Sequence, residues 1–275
     1  MTTTTTASSS EQGPGSPGVT LTIDGRTAIV QLNRPRKLNA LNVEMLEALV
    51  TAGQSLMAQP EVAAVLLCGA GRSFCAGLDL QQIEQMRAGT ADAVQLGDRL
   101  GAARALAQKA VHVWSMVPVP VVAAVQGVAF GGGLQLALGA DIRVVAPDAR
   151  LAALEIQWGL VPDMAGTQLL PELVGRDVAK DMIFTGREVS GTEARDLGLA
   201  TRIAIDPVAA GIELVEQLAS RSRTALSHAK RLIDAAGRVE LAIGLDAEQV
   251  AIAELIGSEE QSRIVTDRLS RVHRR

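Results

Sequence analysis

The chain has 275 residues, 48% of them hydrophobic but only 2% aromatic and none of them tyrosine, so its core must be built from Ala, Val, Leu and Ile. Lys and Arg total 26 against 30 Asp and Glu, a net charge of −4, which argues against a nucleic-acid partner. The 2 cysteines, Cys68 and Cys75, are too few for a disulfide framework and fit a reducing, cytoplasmic setting.

Residues 1–18 are Thr, Ser, Gly and Pro with little to bury, and are expected to be a disordered tail lacking the basic start and apolar run of a secretory signal. No later apolar window approaches the roughly 20 residues that span a bilayer, so no membrane partner is expected. Val19–Ile23 and Ala28–Leu32, joined through Asp24-Gly25, read as a β-hairpin. The polar loop Asn33–Asn42 ends on a plausible N-cap, and the spacing of Met45, Leu46, Leu49, Val50 and Leu56 predicts a helix from Val43 to about Ala58.

Val62–Cys68 reads as a buried strand leading into a glycine-bearing loop, GAGRSFCAGLDL (Gly69–Leu80). A long Ala-rich helix is predicted over about Asp92 to Met116, closed by Pro118 and Pro120. Then comes VVAAVQGVAFGGGLQLALG (Val121–Gly139), an unalternated apolar strand passing through Gly131, Gly132 and Gly133 into a small-residue helix. Each glycine in regular structure is worse than alanine by roughly 0.5–1 kcal/mol, so close approach of a ligand or tight packing must offset them. Short strands follow at Ile142–Ala146 and Arg150–Leu154. Glu155–Thr167 is a loop, since Gly159, Pro162 and Gly166 forbid one continuous helix.

Helices are predicted at Gln168–Val174, Val178–Phe184, Gly191–Leu197 and Val208–Ser220, with a strand at Ala200–Ile205. From Thr224 the chain is almost all helical, broken near Gly237 and Gly257. Its apolar faces (Leu241, Ile243, Leu245, Ile252, Leu255, Ile256) exceed what one thin layer buries, and an oligomer interface is their expected destination. Arg263, Arg268, Arg271, Arg274 and Arg275 read as a solvated basic helix face. The interleaving of strands and helices argues an α/β fold, with no repeat of fixed period. The expected organisation is a tail over 1–18, an α/β core over 19–205 and a helical region over 206–275.

Two glycine-bearing loops, each following a buried strand, can aim backbone N–H groups at one point. The candidate donors are Ala76 and Gly132, and paired amides of this kind stabilise a developing oxyanion. The alternative is that both loops are tight turns only. His112, His228 and His273 have no carboxylate or cysteine at ligand spacing, so no metal is expected. No GxSxG occurs, Leu134 rather than serine follows the triple glycine, and the GxGxxG spacing fails.

SFCAGLDL (Ser73–Leu80) and AVQGVAFGGGLQLALGADIR (Ala124–Arg143), flanked in order by NRPRKLNALN (Asn33–Asn42) and GTQLLPELVG (Gly166–Gly175), resemble the enoyl-CoA hydratase/isomerase family, the crotonase superfamily. The resemblance covers roughly residues 19–275. It implies a spiral ββα core with a helical C-terminal trimerisation region, a homotrimer or dimer of trimers, an acyl-CoA thioester substrate and no separate cofactor. It places the thioester oxygen at the amides of Ala76 and Gly132. Lys37, Leu38, Ala40, Phe74, Gly77 and Asp79 fall in the substrate-binding loops, where Asp79 is expected to brace its loop or cap the next helix.

Hydratases of that family use two glutamates. One matches Glu155; the other falls on Gln135, an amide that transfers no proton at neutral pH. Asp163, eight residues after Glu155, matches an acid of members that shift double bonds in dienoyl-CoA, although those also carry an acid at the position of Gln135. Glu155 and Asp163 are therefore the expected base and acid, with Trp158, Leu160, Met164 and Phe74 as an apolar wall. The alternative for Asp163 is a loop acid bonded to its own backbone; Gln135 is expected in the substrate site, bonding a water or a substrate group, with packing as its alternative. The expected reaction is double-bond isomerisation, with hydration of a trans-2-enoyl-CoA as the close alternative and a non-catalytic acyl-CoA binder as another.

Overall fold

The computed structural model describes residues 18–89 and 96–272. The tail expected over 1–18 lies outside these residues except for Gly18, as do His273, Arg274 and Arg275. The hairpin forms as expected from β1 (Val19–Asp24) and β2 (Thr27–Leu32) in the register Val19↔Leu32, with Gly25 at φ 54 taking the strained turn position. The helix α1 (Val43–Met57) begins at Asn42, whose side chain accepts from the Met45 N–H.

Three strand–strand–helix units then follow. The first is β3 (Ala64–Gly69), a single bridge at Cys75, and α2 (Leu80–Arg87). The helix predicted over Asp92–Met116 is a correction. Within the described part, β4 (Leu96–Leu100) and β5 (Ala103–Ala105) form a hairpin, and α3 (Leu106–Met116) starts only afterwards. Gly97 and Gly101, the latter at φ 55, weaken helix there, and the Gln108 side chain accepts from the N–H groups of Arg104 and Ala105 to fix the helix start. The second unit is β6 (Val121–Val125), β7 (Val128–Phe130) and α4 (Gly132–Leu138). The third is β8 (Ile142–Val145), β9 (Arg150–Ala152) and α5 (Gly166–Val174).

The chain continues through α6 (Arg176–Thr185), β10 (Val189–Ser190), α7 (Gly191–Asp196), β11 (Arg202–Ile203) and α8 (Pro207–Ala219). It ends in α9 (Arg223–Ala235), α10 (Leu241–Leu255) and α11 (Glu259–Val272). The strand expected over Ala200–Ile205 is thus shortened to β11, and β7, β10 and α2 are additions.

The first strand of each unit joins a sheet ordered β1-β2-β3-β6-β8-β11, parallel except at the hairpin. The second strands stack into another layer, where Cys75 bridges Ala129 and the order runs β7-β9-β10. Every residue of β3 and β6 is buried, because the large sheet is covered on both faces. Val65, Leu67, Ala123 and Val125 pack in the cluster that includes Leu49 of α1 and Trp114 of α3. The alternate residues Leu66, Cys68, Val122 and Ala124 meet Leu214 and Val215 of α8. The helix that follows residue 205 is therefore packed as a layer of the core.

Helices α9–α11 attach differently, through polar anchors. Lys230 of α9, buried, donates to the carbonyls of Trp114 (2.9 Å) and Val119 (3.3 Å) and pairs with Asp141 (2.8 Å). Arg223 Nε donates to Val62 O (2.8 Å), and Glu260 of α11 accepts from Ser222 Oγ and Arg223 N. Leu241, Ile243, Leu245, Ile252 and Ile256 stay exposed, as the apolar faces of this region led one to expect. No helix among the described residues is long and apolar enough to cross a membrane. Replacement of Lys230 by Met removes the donor from two carbonyls and leaves Asp141 with the Val121 amide alone. It is expected to destabilise the protein by about 3 kcal/mol, read from denaturant midpoints at unchanged slope.

Candidate active site

The first loop, over Asn33–Asn42, is locked to the second by a buried asparagine. Leu38 and Asn39 both adopt left-handed backbone (φ 49 and 57), and Asn39 is fully buried. Its Nδ2 lies 3.0, 2.8 and 3.1 Å from the carbonyls of Ala70, Ser73 and Phe74, while its Oδ1 accepts from Arg34 N (2.8 Å). Cys75 Sγ donates to the Asn39 carbonyl (3.1 Å). Sequence reasoning passed over Asn39. The available signal was an asparagine, the side chain most tolerant of left-handed backbone, inside a loop with no glycine.

Asp79 braces this joint, as expected. It pairs with Arg34 (2.9 Å) and Lys37 (3.0 Å), and its Oδ1 caps α2 through Gln81 N (3.2 Å). Burial opposes its ionisation, but Lys37, the Gln81 amide and Arg34 together hold the carboxyl below its ordinary value. Ala40 is buried, with its carbonyl accepting from Arg34 Nη1 (2.6 Å), while Lys37 remains half-exposed.

The amide assignment needs correction. Ala76 N donates to Leu38 O at 2.9 Å, so its N–H is taken by the first loop. Gly77, at φ 90, turns the next peptide over, and its carbonyl accepts from Leu41 N (2.7 Å). Because C=O and N–H point in opposite directions across a trans peptide, the Leu78 N–H faces away from Leu41, and it has no hydrogen-bond partner among the described residues. On that side lies the glycine turn. A Cβ built on Gly77 would stand 2.6 Å from Phe130 O and 3.6 Å from Gly132 N. Gly131, at φ 50, receives Gln135 N on its carbonyl, which by the same peptide geometry points the Gly132 N–H outward from the start of α4. Leu78 and Gly132 thus each bring a free amide to the turn. Leu41 and Met164 flank them, at 3.2 and 2.8 Å from a Cβ placed on Gly132.

Two polar side chains, Gln135 and Glu155, meet next to this turn. Gln135, 2% exposed, donates from Nε2 to Glu155 Oε1 (2.7 Å) and accepts on Oε1 from Met164 N (2.8 Å) and Gly166 N (2.9 Å). Ala165 between those two amides is left-handed (φ 69), which turns both toward one oxygen. The Glu155 carboxyl lies against Gly131, its Oε1 3.2 Å from a Cβ built there, and its buried Oε2 has no hydrogen-bond partner among the described residues. Burial, with a smaller push from the negative charge of Asp163, raises the Glu155 pKa despite the hydrogen bond from Gln135. The surrounding protein likewise raises Asp163, although that residue keeps an exposed surface. Both carboxyls are thus raised chiefly by burial, and the charge of Asp163 adds a small push on Glu155.

Of the remaining expected wall residues, Met164 stands at the turn as described. Trp158, at the end of a 3₁₀ turn over Glu155–Trp158, is 54% exposed, and Leu160 is also exposed. Phe74 is a correction: it is fully buried in the core cluster, where it supports its loop from beneath and offers no surface to a ligand. Among the described residues no group of three His, Cys, Asp or Glu side chains is placed to hold a metal.

Residues 22–266 match the family profile described as enoyl-CoA hydratase/isomerase. The short-chain-enoyl-CoA hydratase of Clostridium acetobutylicum is 32% identical over 252 residues, 90% of this chain and 93% of that protein. The crystal structure of enoyl-CoA hydratase from Bacillus anthracis superposes with a TM-score of 0.82 at 30% identity, covering 92% of this chain and 96% of that one. A structure from Thermobifida fusca in complex with acetoacetyl-CoA gives a TM-score of 0.75 at 33% identity, over 86% and 94% of the two chains.

A carboxyl whose folded pKa is raised favours folding at low pH, and that contribution disappears as pH rises through the folded pKa. Glu155→Gln keeps an acceptor for Gln135 and removes the buried charge. Its denaturation midpoint is therefore expected to exceed that of the wild type at pH 8 and to match it at pH 4.

Proposed function

Since this chain belongs to the enoyl-CoA hydratase/isomerase family, whose crotonase-type ββα fold it shares, we propose that it is an enzyme acting on enoyl- or dienoyl-CoA thioesters and that it shifts a double bond through an enolate. The observation that carries this reading is the Glu155 carboxyl, buried against Gly131 with the charge of Asp163 acting on it, beside two unengaged amides. The thioester oxygen sits at the N–H groups of Leu78 and Gly132, Gly132 being the expected donor and Leu78 replacing Ala76. A carboxylate takes a proton from the carbon next to the thioester. The C–H electron pair passes into the enolate, whose oxygen the two amides hold. The protonated acid returns a proton further along the chain, leaving the double bond conjugated with the thioester. Protons are moved and no electrons are lost, so neither a redox cofactor nor a metal enters the balance.

Hydration of a trans-2-enoyl-CoA is the second reading, since the unpartnered Glu155 Oε2 can accept a proton from water as well as from carbon. We further propose that α10 and α11 join copies of the chain in a homotrimer or a dimer of trimers, with their exposed Leu and Ile side chains as the contact. Light scattering at micromolar concentration tests this, and a monomer would refute it.

Incubation with a 2-enoyl-CoA and with a 3,5-dienoyl-CoA, followed by absorbance, separates the two chemistries. Glu155→Ala is expected to lower kcat by about 10²–10⁴-fold on whichever substrate turns over. Asp163→Ala is expected to impair isomerisation by a similar factor; fast hydration indifferent to Asp163→Ala would sink the isomerase reading. Calorimetric binding of acyl-CoA without any turnover would leave a non-catalytic binder. Gly77→Ala, which meets Phe130 O and opposes φ 90, is expected to cost about 10²–10³-fold in kcat by displacing the Leu78 donor.

A further inference from the structure

Gln135 occupies the position where a second acid would stand, yet its surroundings are built for an amide. A carboxamide oxygen has two lone pairs, and both are engaged, by Met164 N and Gly166 N. The nitrogen can only donate, and it donates to Glu155 Oε1. Gln135 consequently has no acceptor left for a proton of water, and at 2% exposure it has almost no surface to offer one. Glu155 has one oxygen fastened by this bond while the other, Oε2, is unpartnered beside the glycine turn.

We propose that Gln135 is a positioning residue that fastens one oxygen of Glu155 and presents the other to the substrate, which directs the site toward proton transfer between carbons over addition of water. The inference rests on the reading of Glu155 as the proton carrier. In the step it governs, Glu155 Oε2 forms an O–H bond as the substrate C–H bond breaks, and the electron pair stays in the enolate until a proton returns to the distal carbon. No water is consumed.

A simple role in holding the 164–166 turn is the competing explanation, and Gln135→Glu distinguishes the two. A carboxylate still accepts from Met164 N and Gly166 N, but it replaces the donor facing Glu155 with a second acid, so the two must share a proton. The acid limb of kcat/KM is expected to move up by about one pH unit or more. The ratio of hydration to isomerisation is expected to rise about tenfold, while the melting temperature changes little at about pH 4, where both carboxyls hold their protons. A wild-type pH profile with a wild-type product ratio overturns the proposal.

Should no enoyl- or dienoyl-CoA turn over at all, the functional reading fails separately. The titration of the Glu155 carboxyl, followed by ¹³C NMR in labelled protein, then still decides the positioning role: an upward shift in Gln135→Glu supports it and an unmoved titration overturns it. If that variant does not fold, Gln135→Met is measured in the same way. Loss of the donor is again expected to shift Glu155 upward, and an unmoved titration again refutes the proposal.

Discussion

The site depends on one constraint: two stretches of backbone, 72–78 and 127–133, run closer together than any side chain allows. A Cβ on Gly77 would meet Phe130 O at 2.6 Å, one on Gly133 would meet Cys75 O at 2.3 Å, and one on Gly127 would meet Arg72 O at 2.1 Å. These contacts explain why the chain tolerates so many flexible residues at a strand-to-helix junction. The entropy lost there is offset by packing of the second layer of strands, with Cys75 bridged to Ala129 and β7 to β9. The outward N–H groups follow from that packing and need no ligand to form.

The same closeness settles the electrostatics. Glu155 is pressed against Gly131 with one oxygen tied to Gln135, and its ionised form is disfavoured by its lack of water. Asp79 shows the opposite arrangement: two cations and a backbone amide surround it, and it stays ionised. The acid that fastens the loops and the acid available for chemistry thus differ in their partners.

Much of this was legible in the sequence. Unalternated Val and Ala at 121–125 announced a strand covered on both faces, Asn42 announced a helix start, and the glycines at 131–133 located the turn. Glu155, Asp163 and Gln135 were named from their spacing and from resemblance; the structure joins Glu155 to Gln135 beside that turn and leaves Asp163 exposed, next in sequence to Met164. What escaped was direction. Composition does not say which way a peptide faces, and the exchange of Ala76 for Leu78 turns on the φ of Gly77 alone. Asn39 escaped because its four partners lie up to 35 residues away in sequence. The hairpin over 96–105 escaped because its alanines read as helix while two glycines broke it. Phe74 was taken for part of the apolar wall with Trp158, Leu160 and Met164, whereas it lies fully buried beneath its loop.

The Lys230–Asp141 pair has a mechanical consequence. Asp141 Oδ2 also accepts from the amide of Val121, the first residue of β6, at 2.7 Å. Lys230 holds the carbonyl of Val119 two residues before that strand begins. Strand β6 is therefore tethered at its entrance by α9, and the next strand and turn downstream of it carry the amide of Gly132. Arg223 of the same helix holds the carbonyl of Val62 just ahead of β3, so a pull that detached α9 would load the entrances of β3 and β6 together.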